Sequence, residues 1–259
     1  MNVALTGASG FLGSAVCRVL AEGGHTVTGL VRPTSSRSHV DPFASRYVEG
    51  DHADPAIWES LLAGAEAVVH NSLSRAAFDR EKPLRAHLES NLLGSIGLLE
   101  AAHRAGVRRF VFVSSVATIH EVSARWEGVI DADHPLRPAG WYGAYKAAVE
   151  AHLWAARHTW GMHTAAVRPA GIYGVEPVRL ERSHAYEQVR RLLAGERVTS
   201  AEFPGGGKWV HVDDVALALV RAVEREEADG GIFHLADCYA KRTRFGEHAA
   251  DLLGLDAST

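Results

Sequence analysis

Cysteine is scarce in these 259 residues: only Cys17 and Cys238 occur, far apart and outside any metal-ligand spacing. That argues against a disulfide framework and a cysteine zinc site, and fits a reducing, cytoplasmic setting. Long apolar runs are missing too. No uninterrupted stretch approaches the roughly 20 residues that a bilayer-spanning helix needs, and the opening MNVALTGASG has neither a basic start nor a cleavage pattern. Neither export nor a membrane partner is expected. Charge of one sign is also lacking, with 27 Lys and Arg against 31 Asp and Glu. No basic stretch is interleaved with aromatics, so no nucleic-acid partner is expected. The 15 histidines are scattered. Pairs such as His158 with His163 do not share the helical face of a metal site, so no metal is expected.

What is present is alternation. Short β-branched runs at Val3–Thr6, His25–Val31, Ser45–Glu49, Ala67–His70, Phe110–Ser114 and Thr164–Arg168 are separated by amphipathic stretches at Phe11–Gly23, Pro55–Ala63, Pro83–Ala105 and Trp141–Trp160. Repeated βαβ units with right-handed crossovers imply an α/β fold, a doubly wound parallel sheet of Rossmann type. After Arg168 the alternation loosens into a strand at Trp209–Val212, a helix near Asp213–Glu227, a strand at Ile232–Leu235 and a last helix near Thr243–Leu253. Residues 1–168 are therefore expected to form a dinucleotide-binding domain, and 169–259 a small C-terminal substrate-binding lobe over the sheet's carboxyl edge.

Thr6-Gly7-Ala8-Ser9-Gly10-Phe11-Leu12-Gly13 sits where a strand hands over to a helix. Gly7, Gly10 and Gly13 permit a tight turn, and the backbone N–H groups of Ser9, Gly10, Phe11 and Leu12 can approach a pyrophosphate at the helix N-terminus. At the end of the second strand an NAD site usually places an acid for the ribose hydroxyls. Here the chain reads Gly29-Leu30-Val31-Arg32-Pro33-Thr34-Ser35-Ser36-Arg37. Arg32 and Arg37 either hold a 2′-phosphate, which favours NADP over NAD, or simply solvate a loop.

Farther on, Tyr142 and Lys146 are four residues apart in Trp141-Tyr142-Gly143-Ala144-Tyr145-Lys146 and share one helical face. A phenol titrating near 10 is a poor proton shuttle at neutral pH, whereas a nearby ammonium and a positive nicotinamide ring would both favour its phenolate. One βα unit earlier, Val111-Phe112-Val113-Ser114-Ser115 carries hydroxyls to the sheet's carboxyl edge. Ser115 is the candidate to bond the substrate oxygen, with Ser114 one residue away as the alternative.

The TGxxGxxG spacing, together with this serine, tyrosine and lysine, resembles the extended short-chain dehydrogenase/reductase superfamily, often called the NAD-dependent epimerase/dehydratase family. The resemblance spans most of the chain. It implies that Asp51 of Glu49-Gly50-Asp51, with His52 beside it, reaches the adenine, with capping of its own turn as the lesser alternative for Asp51. It implies that Asn71 and Ser72 of His70-Asn71-Ser72 lie beside the pyrophosphate and nicotinamide ribose, although the usual small apolar residues are replaced there. It further implies that Asn91 props the active-site strands and that Lys146 grips the nicotinamide ribose. Pro169 of Arg168-Pro169-Ala170-Gly171-Ile172-Tyr173-Gly174 would approach the carboxamide, and His211-Val212-Asp213-Asp214 would anchor the lobe. A homodimer through paired long helices is implied as well.

The expected reaction is hydride transfer between a carbinol carbon and nicotinamide, with Tyr142 exchanging the hydroxyl proton. The Asp-Glu pair that the resembling 4,6-dehydratases carry after the catalytic hydroxyl residue is replaced by Val116-Ala117, which disfavours dehydration. The chain stops at Thr259, where longer members continue, and this tilts the reading to a reductase or dehydrogenase over a sugar epimerase. A non-catalytic cofactor-binding protein is the remaining alternative, since fold alone does not prove turnover. Trp126, Trp141, Tyr173, Arg179, His184 and Lys208 lie in segments that could line a substrate pocket, as packing or surface residues could too.

Overall fold

The structure, a computed structural model, describes residues 1–74, 84–119, 134–199 and 202–255. The β-branched runs become strands β1 (Asn2–Thr6), β2 (Thr26–Val31), β3 (Arg46–Glu49), β4 (Ala67–His70), β5 (Arg109–Val113) and β6 (His163–Pro169), followed by β7 (Gly171–Tyr173), β8 (Gly206–His211), β9 (Ile232–Leu235) and β10 (Cys238–Lys241). Seven of these pair in parallel in the order β3-β2-β1-β4-β5-β6-β9. This is a Rossmann-type doubly wound sheet. Its winding reverses between β1 and β4, so the carboxyl ends of those two strands flank the crevice where such sheets take ligands.

Both faces of the sheet are covered, which is why its central strands read as continuous apolar runs and not as alternations. All four residues of β4 are buried, as are Phe110 to Val113 of β5. Leu30, Val68, Phe110 and Phe112 share one core with Leu98, Leu99, Val149 and Leu153 of the flanking helices. Each such large side chain stabilises the fold by about 1.5–3 kcal/mol.

The helices are α1 (Phe11–Glu22), α2 (Trp58–Leu62), α3 (Leu84–His87), α4 (Gly94–Arg104), α5 (Trp141–Trp160), α6 (Tyr186–Leu193), α7 (Val212–Glu224) and α8 (Arg244–Leu253). The single helix expected over Pro83–Ala105 is instead α3, a π-helical segment Leu88–Leu93 and then α4. A π turn holds one extra residue, which a period of 3.6 does not announce. α5 stops where expected, at Gly161, whose φ of 63° is the left-handed cap that glycine accepts without strain.

The chain forms two compact units: Met1–Pro169 with Asp213–Leu235, and Ala170–Val212 with Ala236–Thr259. The boundary drawn at 168/169 therefore misplaces Asp213–Leu235, which belongs with the sheet. The reason is pairing and burial: Ile232–Leu235 registers against Ala166–Pro169, and Val215, Leu219 and Val223 of α7 are wholly buried. Arg18 of α1 also reaches Asp213 at 2.8 Å. In the smaller unit β8 pairs parallel with β7 and antiparallel with β10. α6 and α8 meet through Gln188, whose amide accepts from Gly246 N–H and donates to Arg242 C=O. Strands β7 and β10 and helix α6 are absent from the sequence-based reading, since the strands are only three and four residues long and the helix is mostly polar.

Candidate functional site

The turn after β1 is built from backbone. Gly7 has φ +69°, and a Cβ there would lie 3.3 Å from Ser72 Cα and Oγ. Gly10 N–H donates to Gly7 C=O at 3.0 Å, closing the turn. A Cβ on Gly13 would stand 1.9 Å from Gly7 C=O, so only glycine lets α1 start this close to the strand. Gly10 holds the N-cap position and offers no side chain to the first N–H groups. Those donors, with the positive end of the helix dipole, can receive an anion. Ser9 and Phe11 are half-buried at this turn, Leu12 is buried beneath it, and His39 Nε2 bonds Ser9 C=O at 3.1 Å.

Thr6 ties this turn to the end of β4. Its Oγ1 accepts from Asn71 N–H and Ser72 N–H, both at 2.9 Å, and lies 2.8 Å from His70 Nδ1. With two donors already received, the hydroxyl proton goes to Nδ1, which fixes the imidazole proton on Nε2. Nε2 then donates to Ser95 Oγ at 2.8 Å, and Ser95 donates to Asn91 C=O. Burial, with His52 and Lys146 nearby, holds His70 well below the usual histidine range, in keeping with a neutral ring. Asn71 and Ser72 are thereby set beside the glycine turn.

At the end of β5 the two adjacent serines part ways. Ser114 is buried, its N–H donates to Val167 C=O at 2.7 Å, and its hydroxyl donates to Glu150 Oε1. Glu150 is gripped by Arg168 at 2.9 and 2.6 Å, both side chains being 2% exposed. Ser115 is half-buried, and its hydroxyl stands on the Tyr142 side, where it draws the phenol's pKa down. Its Oγ also accepts from Ala117 N–H at 3.1 Å. A Cβ on Gly143 would lie 2.1 Å from Ala117 C=O, so this glycine lets α5 dock directly on the turn that follows Ser115.

Lys146 is buried, donates to Val113 C=O, and stands 4.4 Å from the Phe112 ring and 5.8 Å from that of Tyr142. Burial pushes its ammonium down to about 7, against the pull of Glu150. Burial raises the Tyr142 phenol, and the Ser115 hydroxyl partly offsets that rise. The tyrosine is therefore a protonated phenol at neutral pH.

The outer candidates are less gathered. Arg32 is exposed just past β2, whereas Arg37 pairs with Glu49 at 3.0 Å and lies over the Tyr47 ring. Asp51 accepts from Ala53 N–H at 2.9 Å as a turn cap, and His52 is buried beside it. Pro169 is buried at the carboxyl end of β6. Trp126 lies outside the described residues. Trp141 is exposed, and in the smaller unit His184 and Phe245 pack their rings against Trp209 at 5.0 and 5.1 Å. Among the described residues no group of three His, Cys, Asp or Glu is placed to hold a metal.

Sequence reasoning missed Thr6, Gly143 and Glu150. Glu150 was findable, because Tyr142, Lys146 and Glu150 repeat every four residues along one helical face. Gly143 and Thr6 were not, because their partners lie 26 or more residues away.

Comparison with known proteins shows the family and the fold. The model of the NAD dependent epimerase/dehydratase family matches residues 3–236. The UDP-glucose 4-epimerase of Corynebacterium glutamicum is 28% identical over 245 residues, 88% of this chain and 72% of that protein. The 2-alkyl-3-oxoalkanoate reductase of Stenotrophomonas maltophilia is 29% identical over 230 residues, 86% of this chain and 66% of that protein. Among solved structures, the Thermus thermophilus UDP-glucose 4-epimerase in complex with NAD superposes with a TM-score of 0.82 and 26% identity, covering 100% of this chain and 85% of that one.

Proposed function

We propose, given that this chain belongs to the NAD-dependent epimerase/dehydratase family, that it is an oxidoreductase interconverting a carbonyl and an alcohol on a small, sugar-like substrate. The observation that carries this reading is buried Lys146 standing 5.8 Å from the Tyr142 ring, with the Ser115 hydroxyl acting on the same phenol. The side-chain-free turn at Gly7, Gly10 and Gly13 fits a dinucleotide, whose nicotinamide supplies or accepts the hydride when bound. Ser9, Phe11 and Leu12 flank that turn, with Asn71, Ser72 and Pro169 at the neighbouring strand ends and Asp51 and His52 toward the adenine.

Ser115 holds the substrate oxygen and Tyr142 moves its proton. As charge develops on that oxygen during reduction, the Tyr142 O–H bond breaks and the new alcohol O–H bond forms. A phenol kept protonated by burial suits this direction. Lys146 grips the nicotinamide ribose and places a cationic donor near the phenolate left behind. Asn91 props the loop after β4, while Ser114 serves the interior through Glu150.

NADP is the preferred cofactor in this reading, because Arg32 stands where an acid would serve NAD. Arg37 would join it by exchanging Glu49 for a phosphate. A second reading, an NAD-dependent sugar epimerase, is supported by the likeness to UDP-glucose 4-epimerases. A small-molecule substrate, a reducing cytoplasmic setting and a homodimer complete the proposal. Light scattering that reads a monomer would overturn the last.

Fluorescence titration with NADPH and NADH, after a check for copurified nucleotide, separates the two readings. A reductase takes up NADPH exchangeably and binds it at least tenfold more weakly as Arg32→Ala. Retained NAD that is indifferent to this substitution would favour the epimerase. In either case Tyr142→Phe should lower turnover by about 10²- to 10⁴-fold without changing nucleotide affinity.

A further inference from the structure

His87 has no part in the reading above, yet it is 2% exposed, and both ring nitrogens find partners. The hydrogen-bond directions around it can be worked out in full. Asn91 Oδ1 lies 2.8 Å from Ser74 N, which can only donate, so the orientation of the Asn91 amide is set. Asn91 Nδ2 then gives one hydrogen to Ser74 C=O at 3.2 Å and its other to His87 Nδ1 at 3.0 Å. An imidazole accepting at Nδ1 carries its proton on Nε2, which donates to Trp141 C=O at 3.2 Å. Trp141 opens α5, and Tyr142 is the next residue. The His87 ring also meets Tyr145 edge-on at 5.2 Å, one turn farther along that helix.

Asn91 faces the other side of the site as well. Its carbonyl receives the Ser95 hydroxyl at the end of the chain that starts at Thr6 and passes through His70. A series of oriented hydrogen bonds, bridged at Asn91 by the covalent bonds between its main-chain carbonyl and its side-chain amide, therefore runs from the turn after β1, through the π-helical segment, to the helix that bears the tyrosine. We propose that His87 is the positioning residue closing this series: it holds the first turn of α5, and so sets the place of the Tyr142 hydroxyl relative to Ser115. The proposal rests on Tyr142 as the proton-transfer residue.

The test reads Tyr142 directly. Tyrosinate absorbance is followed during an alkaline titration, and the Tyr142 transition is isolated by subtracting the same titration of Tyr142→Phe. This is repeated in His87→Phe, which keeps a ring against Tyr145 but has neither hydrogen bond. It is repeated again in His87→Gln, whose amide can accept from Asn91 and donate to Trp141. We expect the Tyr142 midpoint to move by at least half a pH unit in His87→Phe and to return in His87→Gln. Turnover should fall at least tenfold in the former and recover to within threefold in the latter, with the nucleotide KM unchanged in both. If His87→Phe does not fold, His87→Leu takes its place. An unmoved midpoint, or a shift that His87→Gln does not reverse, overturns the proposal. A wild-type protein that binds no dinucleotide would sink the proposed function, while the titration would still judge His87.

Discussion

At the turn after β1 the chain dispenses with side chains, so that Gly7 C=O comes within 1.9 Å of where a Cβ of Gly13 would stand; at the end of β5 it packs Ser114, Lys146, Glu150 and Arg168 out of water. The glycine turn works through shape, and its cost in free energy is backbone entropy. The polar cluster works through paired charge, and its cost is desolvation, which only complete pairing offsets. The two regions should therefore fail differently. Substitutions at the turn should act through contact, and those in the cluster through unpaired charge.

The sharpest break of this comparison is Glu150→Gln. It leaves Arg168 buried beside a neutral amide and takes from Ser114 its charged acceptor. Removing one partner of a buried ion pair costs about 3–5 kcal/mol. A urea denaturation midpoint should fall accordingly. A change below about 1 kcal/mol would mean that water already reaches the pair, against its burial.

The same contrast explains what could be read from the sequence. The glycine turn was legible because its residues are contiguous and its context, a strand before and a helix after, is local. Tyr142 and Lys146 were legible because a helix puts residues four apart on one face. Which serine faces the tyrosine was not, because it depends on Glu150, 36 residues from Ser114, and on Arg168 behind it. Arg37 read as a phosphate ligand from its place after β2, but Glu49 comes alongside only when β3 pairs with β2. The return of Ile232–Leu235 to the sheet edge was hidden for the same reason: β6 precedes it by more than 60 residues. Local chemistry is written locally, whereas burial and partnership depend on the whole topology.

A paired substitution sharpens the comparison at smaller amplitude. Gly13→Ala and Gly143→Ala each add one methyl against a carbonyl, at 1.9 and 2.1 Å. Overpacking of this kind costs about 1–3 kcal/mol in stability, so thermal midpoints should drop by similar amounts. Function should separate them. Gly13→Ala should weaken dinucleotide binding, seen by fluorescence. Gly143→Ala should leave binding in place and lower kcat by about a hundredfold, because it displaces Tyr142 from Ser115 on the scale of an ångström. Equal losses of affinity in both would show that the two turns form one mechanical unit.

The smallest effect is a pH dependence that belongs to the polar cluster alone. Burial brings the Lys146 ammonium down to about 7, so the native protein holds fewer protons at this site than the unfolded chain, whose lysine titrates near 10.4. Stability rises with pH wherever the unfolded state binds more protons, at up to about 1.4 kcal/mol per pH unit for one group. From pH 7 to 8 the gain from Lys146 should be about 1 kcal/mol, because the native amine is half-protonated at the start of that interval. In this interval His52, His70, His163 and His184, all held below their usual range, add a smaller rise as the unfolded chain gives up its last histidine protons, and the Cys17 thiol, raised to about 11, takes little away. Urea midpoints at the two pH values should therefore diverge more in the wild type than in Lys146→Met, by about 1 kcal/mol. A wild type with no rise would mean that Lys146 keeps its ammonium at pH 8, sustained by Glu150 from one turn along α5, and the cluster would then hold two cations on one carboxylate.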